Sequence, residues 1–429
     1  MYASPLALTL WLLACTQPAV DDSVAPVEDS TGTDSDSSAS IPEDSPVVTE
    51  EEVEDQSDVG LDDWFFTNDT IHVIALTIPD DGLAALDATP YDKTLADVTI
   101  DGYALDQVGV RLRGKVGSFR YMSGKPKFAI DVNYINTDQR FFGIEEISLN
   151  NEVVDCGYLK EPLAYRIFRD AGVPAPRTSF ARVSVNGADY GLYVIVETPD
   201  DRFLKRNFED PSGNLYDGKY VYYEDHTYTL LDFSVSVQDL FQLEEGTDFS
   251  RTDVNTVVSA AATPNTGDDW YNIVNDIVDL PTMSHYLAVE ELVGHNDGYA
   301  LNTNNYRFYF DPLNAGRMSF VPWDFDYGFL HDYEWGMNWT TPRGVLAAGC
   351  FYNTLCGTEH KQAVSDLLAT FDPALYQTWF DELTTLIADD VVSDPRRECA
   401  IDYVYAYQAN TRAWLSTEPT NMRTRWGVE

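Results

Sequence analysis

The chain runs to 429 residues and carries 71 Asp and Glu against 27 Lys and Arg, a formal net charge of −44. That length excludes hormones and mini-scaffolds that need metal or disulfide staples merely to fold, and that charge opposes non-specific binding to nucleic acid. A hydrophobic fraction of 44% with 13% aromatics belongs to a packed globular chain, so disorder is confined to part of it.

The first apolar run, Leu6 to Ala14, is too short to span a bilayer and ends at Leu12-Leu13-Ala14-Cys15. Residues 1–15 read as a secretory signal. The small residue before Cys15 resembles a bacterial lipobox, in which the cysteine is lipidated and anchors the protein to the cell envelope. Against this, Met1-Tyr2-Ala3-Ser4 lacks the Lys or Arg usual at such a start. Residues 16–63 then hold sixteen acidic residues and no Lys or Arg, with no sustained apolar period. The expectation is a disordered, self-repelling linker. The run DSTGTDSD does not meet the calcium-loop pattern, which places Gly at the sixth position and Glu at the end.

From Trp64 the segments IHVIALTI, LADVTIDGYAL, QVGVRLRG, KFAIDVNY, SFARVSVNG and YGLYVIVE alternate or run apolar between Gly, Asn and Asp turns, which predicts strands. One helix interrupts them at about 157–171, where Leu159, Leu163, Ile167 and Phe168 recur at helical spacing before Gly172. Later segments predict helices at about 281–293, 361–368, 373–388 and 403–415. A β-rich lobe of about 64–200 followed by a helix-rich lobe of about 201–429 is the order of a two-lobed α+β enzyme. With Cys15 set aside, four cysteines remain. Three pairings are open, and Cys350–Cys356 with Cys156–Cys399 is the preferred one.

Two segments pair acidic groups with amides. His295-Asn296-Asp297 leads to Asn302 in the form H-x-D-x4-N, and Asp324-Phe325-Asp326 follows downstream. Protein kinases use H-R-D-x4-N followed by D-F-G, because one Asp meets the acceptor hydroxyl while the Asn and a second Asp hold metal on the phosphates. Taken singly, Asp297 reads rather as a turn residue after the Gly294 helix stop, and Asp324 as a cap or an exposed strand end. In combination Asn302, Asn304 and Asn305 add oxygen donors suited to Mg²⁺. A basic cluster, Arg111, Arg113, Lys115, Arg120, Lys125 and Lys127, stands out in this acidic chain. Lys125 and Lys127, two residues apart, are both able to reach phosphates, and no Walker A loop is present.

The runs RLRGKVGSFR…KPKFAIDVN, GVPAPRT, VNGADYGLYVIVE and PWDFD resemble the spore-coat CotH kinase family over about Gln107 to Phe329. The resemblance implies a secreted atypical protein kinase with a two-lobed, kinase-like α+β fold. It implies ATP with Mg²⁺ or Mn²⁺ as cofactors, and exported proteins with exposed Ser or Thr as substrates. By that resemblance Asp297 is the catalytic aspartate, Asp324 the metal-binding one, and Lys125 the phosphate-clamping lysine. Asp326 and either Asn302 or Asn305 complete the metal set, Arg113 supports the nucleotide, and Glu161 is the ion-pair partner of Lys125 by analogy with the kinase helix glutamate. A non-catalytic envelope binding module on the same fold is the rival; its mark is a missing aspartate, and none is missing.

Overall fold

In the computed structural model, which describes residues 60–223 and 227–429, the strands of the first part follow the alternation read from the sequence. They are β1 (Ile71–Thr77), β2 (Thr94–Ile100), β3 (Tyr103–Arg113), β4 (Lys127–Asp131), β5 (Glu146–Asn150), β6 (Thr178–Val185) and β7 (Ala188–Glu197). They close into a barrel in the order β1-β2-β3-β4-β5-β7-β6. Closure comes from β1 lying parallel to β6, with Ile71 opposite Phe180 and Leu76 opposite Val185, whereas the other pairs are antiparallel.

Residues on the inward face, among them Ile74, Val98, Val110, Phe128, Ile130, Leu149, Val183 and Ile195, fill the interior. The segment LADVTIDGYAL is not one strand. Asp101 at φ 48° and Gly102 at φ 89° turn it into the β2–β3 hairpin, the left-handed pair that Asp-Gly favours.

Strand β7 is buried on both sides, which is why it reads as a nearly continuous apolar run. Its Leu192, Val194 and Val196 turn away from the barrel and join a second core with Leu163, Ile167 and Phe168 of α2 (Lys160–Asp170), the helix expected at 157–171. Truncating one of these, as in Leu163→Ala, should cost about 2–5 kcal/mol. The Asp155 carboxylate accepts the Lys160 N–H at 2.9 Å at the helix start, and Gly172 at φ 80° ends it.

Beyond the barrel, β8 (Asn214–Asp217), β11 (Gln242–Glu245), β12 (Tyr306–Asp311) and β13 (Arg317–Pro322) form a four-stranded sheet in the order β11-β8-β12-β13. Between the first two lie the two-residue strands β9 (Val221–Tyr222) and β10 (Tyr228–Thr229). Helix α6 (Leu280–Leu292) starts at Asp279, whose carboxylate accepts the Thr282 N–H, and α10 (Pro373–Ser393) and α11 (Ile401–Trp426) extend the helices read from the sequence. The expected 361–368 helix is the second half of α9 (Thr354–Thr370). Helices α1 (Asp80–Ala88), α3 (Asp201–Asn207), α4 (Thr252–Ala261), α5 (Gly267–Asn275) and α8 (Val345–Tyr352), and strands β5, β8 and β11, had no clear sequence signal. The α+β class is what the structure shows.

The expected signal and lipobox at 1–15 and linker residues 16–59 lie outside the described residues. The last linker positions differ from expectation. Asp62 is 1% exposed and ion-paired with Arg177 and Arg202, because two guanidinium groups compensate its desolvation. Cys156–Cys399 and Cys350–Cys356 are disulfides, the pairing preferred from sequence, and the first ties the start of α2 to the segment before α11. Among the described residues no helix is long and apolar enough to cross a membrane.

Candidate active site

Gly294, at φ 56°, ends α6 and turns the chain into the HND segment. Glu290, buried within α6, then accepts the backbone N–H groups of Tyr299 at 2.7 Å and Ala300 at 3.0 Å. Those are the free donors at the start of the short helix α7 (Tyr299–Asn302). Gly298 makes this approach possible, since a Cβ there would lie 2.2 Å from Glu290 Oε1. After α7, the β12–β13 hairpin pairs Tyr306 with Pro322 and leaves Asn305 beside Trp323, whose N–H donates to the Asn305 carbonyl at 3.3 Å. That register joins two motifs nearly thirty residues apart.

Three amides converge on Asp297. Asn302 Nδ2 donates to Oδ1 at 2.6 Å, while Asn304 Nδ2 at 3.2 Å and Asn305 Nδ2 at 2.9 Å donate to Oδ2. Burial pushes the Asp297 carboxyl up to about 7, opposed by the amides and reinforced by Asp324 and Asp326. Asp324 sits at φ 50° with its side chain 29% exposed. Its backbone is held on two sides, with the N–H donating to the Tyr165 hydroxyl at 3.0 Å and the carbonyl accepting from His295 Nε2 at 2.8 Å. Burial lowers His295 to about 4, so the ring is neutral and its Nε2–H is the donor. His295 is the first residue of the H-x-D-x4-N motif, whereas Glu290 and Tyr165 shape the site and lie outside the motifs read from the sequence. The signal available was charge in an apolar helix, since Glu290 and Glu291 interrupt LAVEELV.

The lysine assignment is corrected. Lys125 does not reach the aspartates or Glu161; it pairs with Asp394 at 2.7 Å, both side chains at most 1% exposed, and donates to the Leu192 carbonyl at 2.6 Å. Burial holds it below its ordinary value in spite of Asp394. Lys127 is the lysine that lies beside Asp324 and Asp326. Its ammonium lies 2.9 Å from Asp326 Oδ2 and 3.9 Å from Asp324 Oδ2. Burial would lower it, but Asp324 and Asp326 outweigh that and raise it. Pro126 lies between the two lysines just where β4 begins, and they diverge to opposite partners instead of sharing a face. Glu161 is fully buried, takes a hydrogen bond from Asn150 at 2.6 Å, and makes no ion pair with either lysine. Burial and the Asp324 charge push it up to about 8.

Some of the site residues line a cleft of about 450 Å³, whose lining does not include Lys125, Lys127 or Glu161. Asp297, Asn304, Asn305, Asp324, Asp326 and Tyr327 line one part, and Arg113, Arg307 and Trp323 line another. The Arg113 and Arg307 guanidinium groups pack over the Trp323 ring at 5.6 and 4.9 Å. Arg113 also donates to Ser148. Asn302 does not line the cleft; it acts on Asp297 from behind.

A divalent metal fits this donor set in one particular way. Among the described residues no three His, Cys, Asp or Glu side chains converge to hold a metal by themselves. Mg²⁺, however, uses one or two carboxylates and completes its shell with phosphate oxygens and water. Asp324 is accessible, and Asp326 Oδ1 is buried without a hydrogen-bond partner. Asn305 turns its amide nitrogen to Asp297, leaving its carbonyl oxygen as the end suited to a cation.

The chain is similar to known proteins. An alignment of 199 residues shows 27% identity to inner spore coat protein H of Bacillus subtilis (strain 168), covering 43% of this chain and 50% of that protein. The chain therefore spans about half the length of the curated relative it matches. A chain of the Shewanella oneidensis toxin–antitoxin complex of HipA, HipB and operator DNA aligns over 82% of each chain at 12% identity, with a TM-score of 0.32, a likeness too remote to bear on the argument. The family described as CotH kinase protein matches residues 110–421, from β3 through most of α11, and the chain belongs to that kinase-like family.

Proposed function

We propose that the cleft transfers the γ-phosphoryl group of ATP, bound with Mg²⁺ or Mn²⁺, to a Ser or Thr hydroxyl of an exported or surface protein, this chain included. The observation that carries the reading is the meeting in one cleft of an amide-pinned Asp297 with the Asp324–Asp326 pair, to which the buried Lys127 is joined through Asp326. The kinase-like two-lobed layout is part of the proposal, with the barrel as the first lobe.

The acceptor oxygen forms a bond to the γ-phosphorus as the bond from that phosphorus to the β–γ bridging oxygen breaks, and ADP leaves. Asp297 orients the hydroxyl and takes its proton; burial favours the protonated product, while the three amides fix the carboxylate's direction. Asp324, Asp326 and Asn305 are the residues to hold the metal, which when bound supplies counter-charge to the phosphates. Lys127, in place of Lys125, and Arg113 supply the remaining positive charge. Such catalysis is mostly positioning and electrostatics.

The disulfides fit an oxidising compartment, and lipid attachment at Cys15 would hold the enzyme at the envelope, which mass spectrometry of the native N-terminus reads directly. The enzymatic test is incubation of the purified chain with γ-labelled ATP and Mn²⁺, alone and with unfolded Ser/Thr-rich protein. Label stable to hydroxylamine on Ser or Thr is expected. Its absence from both, in protein shown to bind ATP and Mn²⁺, would leave a binding module in place of a kinase.

A further inference from the structure

The two disulfides differ in their access to solvent. Cys350 and Cys356 are fully buried, whereas Cys156 is 8% exposed and Cys399 is half-buried between the exposed Glu398 and Ala400. A thiol in solution therefore meets Cys156–Cys399 first, and such access is what marks a labile bridge.

What this bridge joins leads to the site from both ends. Cys399 closes the segment 394–399 between α10 and α11, which three side chains fasten to the barrel. Asp394 takes the buried Lys125 ammonium at 2.7 Å, Arg396 donates to the Met122 carbonyl at 2.9 Å and to the Gly124 carbonyl, and Glu398 accepts from Arg120 at 2.6 and 2.7 Å. Residues 120–125 lead through Pro126 into β4 and Lys127, whose ammonium lies 2.9 Å from Asp326 Oδ2. Cys156 lies in the turn that starts α2. There the Asp155 carboxylate accepts the N–H groups of Gly157 at 3.0 Å and Lys160 at 2.9 Å, and the buried Lys160 ammonium donates to the Asp326 carbonyl at 3.3 Å. Both cysteines are thus tied through short runs of contacts to Asp326, one to its side chain and the other to its backbone.

Resting on the kinase reading above, we infer that the Cys156–Cys399 bridge is a redox-operated bolt on the site. Closed, it holds Lys127 and Lys160 on Asp326. Open, it frees segment 394–399 and the α2 turn and lowers phosphoryl transfer without unfolding the protein. The newly made chain carries two thiols here. Closure passes two electrons from them to a disulfide oxidant, whose sulfurs take up the two protons and become thiols as the Cys156–Cys399 bond forms. The enzyme is therefore set only in an oxidising compartment and is quiet before it arrives there.

The test uses the purified full chain. Mild dithiothreitol, followed by thiol labelling and mass spectrometry, should open Cys156–Cys399 and leave Cys350–Cys356 closed. In that sample, shown to be folded by circular dichroism at the assay temperature, phosphate transfer from γ-labelled ATP should fall by about tenfold to a hundredfold, the loss expected of a small misplacement at the site. Oxidised glutathione should reclose the bridge and restore the rate. Cys156→Ser combined with Cys399→Ser should show the low rate from the start and no response to dithiothreitol. Amide exchange supplies a reading that needs no activity: β4 and residues 155–160 and 394–399 should exchange faster when the bridge is open, with β1 and β6 unchanged. Equal turnover in opened and closed folded protein, or the same exchange in both, overturns the inference and leaves the kinase reading intact. Unfolding of the opened protein at the assay temperature overturns it as well. No transfer by the closed protein overturns the kinase reading, and exchange still decides whether the bridge holds these segments.

Discussion

Asn302 Nδ2 and Asp297 Oδ1 lie 2.6 Å apart, and the bond between them exists because Glu290 caps the single turn of helix on which Asn302 rides. A short helix is marginal by itself, since nucleation fixes several dihedrals for one hydrogen bond. A buried carboxylate accepting two of its leading N–H groups converts that marginal turn into a fixed platform for the proposed catalytic aspartate.

Asp297→Asn should separate binding from turnover. The variant keeps the size of the side chain and part of its hydrogen bonding, but it cannot take the hydroxyl proton. Turnover should drop by about 10²–10⁴ while ATP–Mn²⁺ affinity holds within a few-fold. Phosphate incorporation at the wild-type rate would return Asp297 to the role of a turn residue.

Asp324→Asn is the informative change at the metal position, because Asn tolerates a φ of 50° and Ala does so poorly. Loss of the carboxylate charge should weaken metal-dependent ATP binding by about a hundredfold with little change in melting temperature. Calorimetry with ATP and Mg²⁺ decides this; unchanged affinity in a folded variant contradicts the assignment.

The two lysines should separate in their effect on turnover. Lys125→Met strands the buried Asp394 carboxylate and should destabilise the protein by about 3–5 kcal/mol, read by denaturant unfolding. Lys127→Met leaves the buried Asp326 carboxylate without its partner, so it too should lose stability, but phosphoryl transfer should be lost even in the folded fraction. Turnover per folded molecule lost at Lys125 and kept at Lys127 would restore the reading made from the sequence.

Glu290 gives a pH signature. Burial pushes its carboxyl from 4.5 to about 8 in the folded protein, against the two N–H groups and Tyr286 that favour ionisation. Between those values the folded state keeps a proton that the unfolded state has lost. The stability Glu290 contributes is therefore complete below about pH 4.5 and disappears as the pH rises through about 8. Glu290→Gln should flatten the decline in melting temperature between about pH 4.5 and about pH 8, and an identical slope in variant and wild type would show that the group does not titrate there.

Much about this protein was legible in the chain itself. Alternation at period two marked β1, β4 and β6, and Leu159, Leu163 and Phe168 marked α2 with its Gly172 stop, because these signals are local, whereas the Asp-Gly turn inside LADVTIDGYAL went unread. Asp297, Asp324 and the amides between them were found from spacing, since hairpin register converts sequence separation into proximity. The tertiary structure decided the rest. Parallel pairing of β1 with β6 closes the barrel across a separation of more than a hundred residues, which no window of sequence contains. Lys125 and Lys127 look equivalent as letters, and only the arrival of Asp394 from the end of α10 and of Asp326 from beyond β13 tells them apart. Glu290 and Tyr165 owe their roles to burial and to the partners they gain, and desolvation is a property of packing that a residue's identity does not carry.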